Sequence, residues 1–111
     1  MVNPYRGEVA LEVDGQEHVL RLTLGVLAEL ETDLGAGSLL ALVERFETGA
    51  FSAGDLLALL AAGLKGGGWN GSIGDLASAE IAGGPVAAAR AAARLLAVSF
   101  AIGDGEVGGD A

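Results

Sequence analysis

The feature that most limits what this chain can fold into is a pair of short Leu- and Ala-rich runs. The first follows Ser38 and ends at Gly49, and the second follows Ser52 and ends at the glycines that begin at Gly66. A serine at an N-cap accepts a hydrogen bond from an unpartnered backbone N–H of the first turn, and a left-handed glycine closes a helix. Asp55 is a weaker stand-in for the acid of a capping box. These signals predict two helices joined by a tight turn.

A β-hairpin is predicted before these helices. Residues 7–13 alternate in polarity, Asp14-Gly15 follows, and residues 16–22 form the return strand. Asp-Gly between two such runs is a strong signal for a two-residue turn, and the turn fixes the register. The predicted cross-strand pairs are Glu8 with Arg21, Val9 with Leu20, Leu11 with His18, Glu12 with Glu17 and Val13 with Gln16. Because a lone hairpin is marginal in water, we expect it to pack on the helices.

Three further helices complete the prediction. Thr23 precedes a helix over 24–34, Ser72 begins a short helix that runs to about Ala82 after a flexible break at 66–71, and Pro85 suits the start of a final helix over 86–102. The Gly-, Asp- and Glu-rich residues 104–111 predict a disordered acidic tail. The predicted fold class is α+β, mostly α. An N-terminal β-hairpin packs on a bundle of about four to five short helices in one domain, residues 1–103.

The charge balance of the chain disfavours nucleic acid as a partner. Its formal net charge is −9, from six Lys and Arg against fifteen Asp and Glu, whereas a duplex-binding domain needs a basic face. Cysteine is absent, which removes disulfides, thiolate metal sites and cysteine nucleophiles. The uncharged apolar runs are shorter than the roughly 20 residues of a membrane span, and we see no signal peptide, so we expect no membrane association.

No residue pattern predicts an enzyme. His18 is the one histidine, and a general base or metal ligand needs partners that converge on it. Residues 66–71 and 103–108 both match G-x-G-x-x-G, but a dinucleotide site needs a strand before the motif, and a predicted helix precedes each match. The serines that precede helices are explained as caps. We predict no catalytic residue, no metal and no cofactor.

The surplus of leucine in the central pair of helices is the better functional signal. The leucines of the second helix form a band wider than one core contact requires, and exposed apolar stripes on small domains mark interaction surfaces. Trp69, in a glycine-rich loop, is either an anchor for the loop or a contact residue at the margin of that surface, since Trp is enriched at interfaces. The predicted partner-binding residues are Phe46, Leu56, Leu57, Leu60, Leu64 and Trp69.

Several segments, taken in order, resemble a known family. They are NPYRGEV at 3–9, LRLTLG at 20–25, LAELE at 27–31, RFETG at 45–49 and LAAGLKGGG at 60–68. This order of motifs resembles a small tail protein of phage-like gene transfer agents. The family is grouped with phage tail assembly chaperones and is also labelled a phage tail tube protein. The resemblance covers roughly residues 3–102 and leaves out the acidic tail.

The resemblance implies a non-enzymatic role in building a tail. Tail assembly chaperones of long-tailed phages bind the tape-measure protein, a long and largely helical chain, and help to recruit tube subunits. The expected partners are therefore the tape-measure protein and/or the tail tube protein, with a homo-oligomer also open, in the cytoplasm during assembly or in the tail of a virion-like particle. A tube subunit typically needs enough strands to line a ring, and one hairpin is predicted, so we expect a chaperone. The alternative is a structural component of the tail tube or tail terminus, and an adaptor elsewhere in the particle stays open.

Overall fold

A two-stranded antiparallel hairpin is followed by helices, as the sequence predicts. The computed structural model describes residues 7–34 and 39–110, with side chains described over 7–32 and 39–99. The elements in these residues are β1 (Glu8–Val13), β2 (Gln16–Arg21), α1 (Leu24–Leu34), α2 (Leu39–Thr48), α3 (Ala53–Gly66), α4 (Ile73–Ala77) and α5 (Gly84–Asp110). The predicted class, α+β and mostly α, is confirmed.

The hairpin has the predicted turn and the predicted register. Asp14 and Gly15 both have positive φ, 51° and 82°, which is the backbone of a type I′ turn and explains the Asp-Gly pair. All of the predicted cross-strand pairs are present, from Glu8 with Arg21 at the open end to Val13 with Gln16 at the turn. One face of the hairpin is therefore apolar and lies against the helices, with the side chains of Val9, Leu11, Val13 and Leu20 buried.

The segment after α4 binds the hairpin and does not continue the helix. The helix that begins after Ser72 ends at Ala77, whereas the sequence predicted an end near Ala82. The N–H of Asp14 donates to the carbonyl of Glu80 (2.7 Å) and the N–H of Ala82 donates to the carbonyl of Glu12 (3.2 Å). The carboxylate of Asp14 also accepts from the N–H of Glu80 (2.8 Å). The prediction was wrong because these bonds require an extended backbone that bridges Val13 to Ile81.

Side chains cap several helices at the starts that the sequence predicted. The hydroxyl of Thr23 accepts from the N–H of Val26 (3.1 Å) at the start of α1. Ser52 and Ser72 each form a complete capping box with the aspartate three residues on. Gly49, with φ 77°, follows the end of α2. Ser38, the predicted cap of α2, lies outside the described residues. At α1, α3 and α4 the helix starts therefore coincide with caps that can be read from the sequence.

The core lies between the apolar face of the hairpin and the helices. The side chains of Leu20, Leu42, Leu59, Leu64 and Leu95 are fully enclosed, and burial of each contributes about 1.5–3 kcal/mol relative to exposure. Leu59 and Leu64 belong to α3, which contacts β2, α1, α4 and α5. The second of the two central helices is thus surrounded on most sides by other elements of the fold.

Helix α5 packs one face against the core. Ala88, Ala92, Leu95 and Leu96 are buried, and Arg90 and Arg94 are exposed. The backbone remains helical beyond Ile102 to Asp110. Glycines lower the helix propensity of that last part. The predicted disordered tail at 104–111 stays a prediction.

The glycines after Leu64 bring the end of α3 against the edge of β2. A Cβ on Gly66 would overlap the carbonyl oxygen of Arg21, and a Cβ on Gly67 would overlap that of Val19. The N–H of Gly67 bonds the carbonyl of Gly63 (3.0 Å) and the N–H of Trp69 bonds that of Leu64 (2.9 Å). The segment predicted as a flexible break is therefore hydrogen-bonded at its start, and its glycines permit a close backbone contact.

Substitution of Gly67 by alanine should destabilise the fold by roughly 1–3 kcal/mol, as overpacking does elsewhere, because α3 would have to move away from β2. Gly25→Ala is the matched control, since Gly25 lies in α1 and a Cβ added there would have nothing within 4 Å. It should stabilise by about 0.5 kcal/mol through higher helix propensity. Urea denaturation monitored by circular dichroism measures both. Equal stability of the two variants would contradict the close contact.

An ion pair joins α2 to the first turn of α3. The Nε of Arg45 lies 3.0 Å from Oδ2 of Asp55, and a second guanidinium nitrogen lies 3.4 Å from Oδ1. Partial burial raises the pKa of Asp55, but the hydrogen bond from the Ser52 N–H and the guanidinium of Arg45 lower it, and the net pKa is below the ordinary value. The charged form of Asp55 is therefore favoured by folding.

Because the pKa of Asp55 is lowered in the folded state, its stabilising contribution is present above the unfolded pKa of about 4 and is lost as the pH falls through the folded pKa. Asp55→Asn should therefore cost about 1–2 kcal/mol of unfolding free energy at neutral pH and progressively less in acid. Asp75→Asn is the control, since the same capping box in α4 has no arginine within ion-pair distance in the described residues. Denaturation at neutral pH and near pH 3 measures the unfolding free energy of both variants. If Asp55→Asn cost the same unfolding free energy at the two pH values, the result would argue against the ion pair.

Candidate functional site

The predicted partner-binding residues do not form one exposed surface. Phe46, Leu60 and Leu64 are 8%, 1% and 0% exposed and belong to the core, and the ring of Phe46 stacks on Phe51 with centroids 4.4 Å apart. Leu56, Leu57 and Trp69 are half-buried and pack against that core. The expectation that the leucine band of α3 is surplus to the core fails for its buried members, because α1, α5 and the hairpin together cover most of that helix.

The accessible part of the predicted surface is a groove that we call the apolar groove. It has a volume of about 210 Å³ and lies between α3, α4 and the start of α5. Its lining is almost entirely apolar and includes Leu56, Leu57 and Leu60 of α3, Leu76 and Ala77 of α4, and Ile81, Pro85 and Ala88. The sequence predicted the α3 wall, but the walls from α4 and α5 depend on long-range packing.

Exposed apolar side chains lie on the helices that border the apolar groove. Ile73 of α4 is 48% exposed and Val86 of α5 is 63% exposed. Two exposed leucines, Leu24 and Leu40, lie elsewhere, at the starts of α1 and α2. A helix in an apolar groove is one of the recurring modes of peptide recognition. The groove and its borders have the composition that such a partner requires.

A second groove lies on the other side of α4, and we call it the Trp69 groove. It has a volume of about 480 Å³ and is formed by the hairpin turn, the glycine-rich loop and α4. Trp69 forms an edge-to-face contact with His18, with ring centroids 6.4 Å apart. A Cβ on Gly71 would overlap the indole, so the backbone of that residue lies directly against the ring. Trp69 therefore anchors the loop and also forms one wall of a groove. Its predicted role as a contact residue at the margin of the leucine surface stays a prediction.

Carboxylates give the Trp69 groove a negative potential. Asp14 and Asp75 line it together with Gln16 and Asn70, and no lysine or arginine is among its lining residues. Oδ1 of Asp14 accepts from the N–H of Glu80 (2.8 Å), and Oδ2 of Asp75 accepts from the N–H of Ser72 (2.9 Å). One oxygen of each carboxylate is thus available to an incoming donor.

The side chains considered for catalysis make contacts that serve the fold. His18 lies beside Trp69, and the hydroxyls of Ser52 and Ser72 accept from the backbone of their own helices. Helix α3 precedes the glycine-rich match at 66–71, and the match at 103–108 lies within α5. Within the residues described, no three His, Cys, Asp or Glu side chains are close enough together to hold a metal ion.

Comparison with known families identifies the chain. A family model described as "Phage tail tube protein, GTA-gp10" matches residues 6–102. The chain belongs to this family. The resemblance to gene transfer agent and phage tail proteins is thereby confirmed over the hairpin and all of the helices except the last part of α5. No curated protein and no solved structure matches the chain.

Membership gives the chain a tail-related role. The family is described as a phage tail tube protein. Its description names the tail tube, which fits the predicted alternative, a structural component of the tail, better than the predicted chaperone. None of the helices in the described residues has the length and apolar character needed to cross a membrane.

Proposed function

We propose that this protein is a structural component of the tail tube of a phage-like particle of the gene transfer agent type. The observation that carries the proposal is the family match, which extends over residues 6–102. The partners are other tail proteins and further copies of this chain. The protein is made in the cytoplasm and is retained in the tail of the assembled particle.

The fold supports contacts through helices and loops in such a tube. The sheet in the described residues has two strands, and both of its edges are partly covered. Residues 80–82 bond the turn end of β1, and Gly66 and Gly67 lie against the carbonyls of β2. Covered edges resist the addition of further strands. Copies of this chain would therefore meet through the two grooves and the outer faces of the helices.

Quantitative mass spectrometry of purified particles, beside the lysate that produced them, tests the proposal. A tube component should be recovered in particles at a copy number comparable with that of the other tube proteins, because each ring of the tube repeats its subunits. Abundance in the lysate together with absence from particles would contradict a structural role. A capsid protein and a cytoplasmic enzyme, quantified in the same samples, control for recovery and for contamination.

The second candidate is a tail assembly chaperone that binds the tape-measure protein and leaves before the particle is complete. The specific observation in its favour is the apolar groove, which is lined by Leu56, Leu57 and residues of two further helices. A groove of this kind suits an amphipathic helix, and the tape measure of a long tail is largely helical. The acidic charge of the chain, −9, would help to keep such a complex dispersed.

Leu57→Asp should abolish co-purification of the tape-measure protein if the chaperone role is correct, because a carboxylate in the groove would remain desolvated against the partner. Leu40→Asp is the control, since Leu40 is 67% exposed on α2 and does not line the groove. Ala77→Lys provides a second block that leaves the core unchanged, because Ala77 lines the groove but is exposed. Retained binding in folded Leu57→Asp and Ala77→Lys would argue against the apolar groove.

A further inference from the structure

The positive charges of this acidic chain are unevenly distributed. Residues 81–103 contain no Asp or Glu, and their two charged side chains are Arg90 and Arg94. The other basic side chains described in the structure are paired: Arg21 with Glu8 (4.0 Å), Arg45 with Asp55 (3.0 Å) and Lys65 with Glu29 (2.8 Å). Among the side chains that the structure describes, Arg90 and Arg94 are thus the cations that form no ion pair with a described carboxylate.

These arginines lie on one outer face of α5. Val86, Arg90, Ala93, Arg94 and Ala97 are all exposed and have the spacing of one helical stripe. We call this stripe the arginine face. The opposite side of α5, with Ala88, Ala92 and Leu95, packs against the core. The arginine face therefore points away from its own hairpin, and the alanines beside the arginines let a second surface approach closely.

The Trp69 groove has the complementary chemistry. Its indole is held in place by His18 and Gly71, and the carboxylates of Asp14 and Asp75 line the same space. A guanidinium both stacks on an indole face and donates two parallel hydrogen bonds to a carboxylate. An arginine side chain therefore matches both kinds of group in the groove.

We propose that the Trp69 groove of one copy binds the arginine face of a second copy. One of Arg90 and Arg94 stacks on the indole of Trp69, and the other, about 6 Å further along the helix axis, pairs with the carboxylates of Asp14 and Asp75. The occupant is a second copy of this chain because the chain itself supplies two unpaired cations on a helix face free of acidic side chains in the described residues.

This contact joins two different surfaces, so each bound copy still offers one free groove and one free arginine face. Contacts of this type produce a closed ring when the rotation between copies closes, and an open filament when it does not. The inference goes beyond the proposed function, because purified chains can associate head to tail whether or not the protein is retained in particles. The two proposals can therefore fail separately.

Two complementary variants test the contact. Arg90→Gln with Arg94→Gln removes the arginine face but keeps the groove, and Trp69→Ala removes the groove wall but keeps the arginines. Each variant alone should self-associate at least tenfold more weakly than the unmodified chain in sedimentation equilibrium. A mixture of the two should form a 1:1 dimer and stop there, because only one competent pair of surfaces remains. Arg21→Gln with Lys65→Gln is the control of equal net charge and should associate like the unmodified chain.

Fluorescence follows the same mixture directly. Trp69 is the one tryptophan of the chain, so in this mixture only the variant with Arg90→Gln and Arg94→Gln carries an indole. Its emission should shift when the Trp69→Ala variant is added. If Trp69→Ala does not fold, Asn70→Arg replaces it in sedimentation equilibrium, since Asn70 is exposed and lines the groove, and an added cation there repels the arginines. A monomeric unmodified chain at millimolar concentration, or a mixture that forms no dimer, would overturn the proposal.

Discussion

The contact between α3 and β2 is closer than side chains normally allow, and the rest of the core is arranged around it. Gly66 and Gly67 meet the carbonyls of Arg21 and Val19. One turn earlier, a Cβ on Gly63 would lie 2.7 Å from Leu95 and 3.2 Å from Leu20. The absence of side chains at these positions brings the helix backbone onto the edge and face of the hairpin. A two-stranded sheet, unstable alone, thereby gains a helix that covers it.

This arrangement determines which apolar side chains remain accessible. Because α3 contacts the hairpin, α1 and α5 together, its middle leucines, Leu59, Leu60 and Leu64, are enclosed. Leu56 and Leu57, nearer the start of the helix, stay half-exposed and form one wall of the apolar groove. At the other end of α3, the glycine-rich loop turns back along the hairpin and places Trp69 beside His18. The packing of α3 against the hairpin, α1 and α5 therefore leaves one groove at each end of α3.

The features that the sequence predicted correctly are those with local causes. The Asp14-Gly15 turn and the Ser52 and Ser72 N-caps depend on backbone groups within a few residues, and the strand register follows from the turn. The features that it missed depend on residues far apart in the chain. The bridge from Val13 to Ile81 competes with a helix that local propensity favours, and tertiary contacts decide the outcome.

In the candidate site, too, local features could be predicted from the sequence and features that depend on distant residues could not. A helical stripe of leucines can be read from spacing, but spacing alone does not give the number of neighbours that a helix will have. Spacing therefore predicts that Phe46, Leu60 and Leu64 lie on a partner surface, although they belong to the core. The Trp69 groove combines Asp14, Trp69 and Asp75, which no sequence motif connects. Its signal in the sequence was a single large aromatic residue among glycines, which indicates an anchor but not what lies around it.

The number of strands constrains how a protein of this family can take part in a tube. The family description names a tube, yet the sheet in the described residues has two strands. The turn end of β1 bonds residues 80–82, and the outer carbonyls of β2 lie beneath the glycines of α3. A continuous inter-subunit sheet would have to displace α3, and with it the contact on which the core depends. Association through the outer surfaces of the helices leaves that contact intact, so the tube role and this fold are compatible when the copies meet through helices and loops.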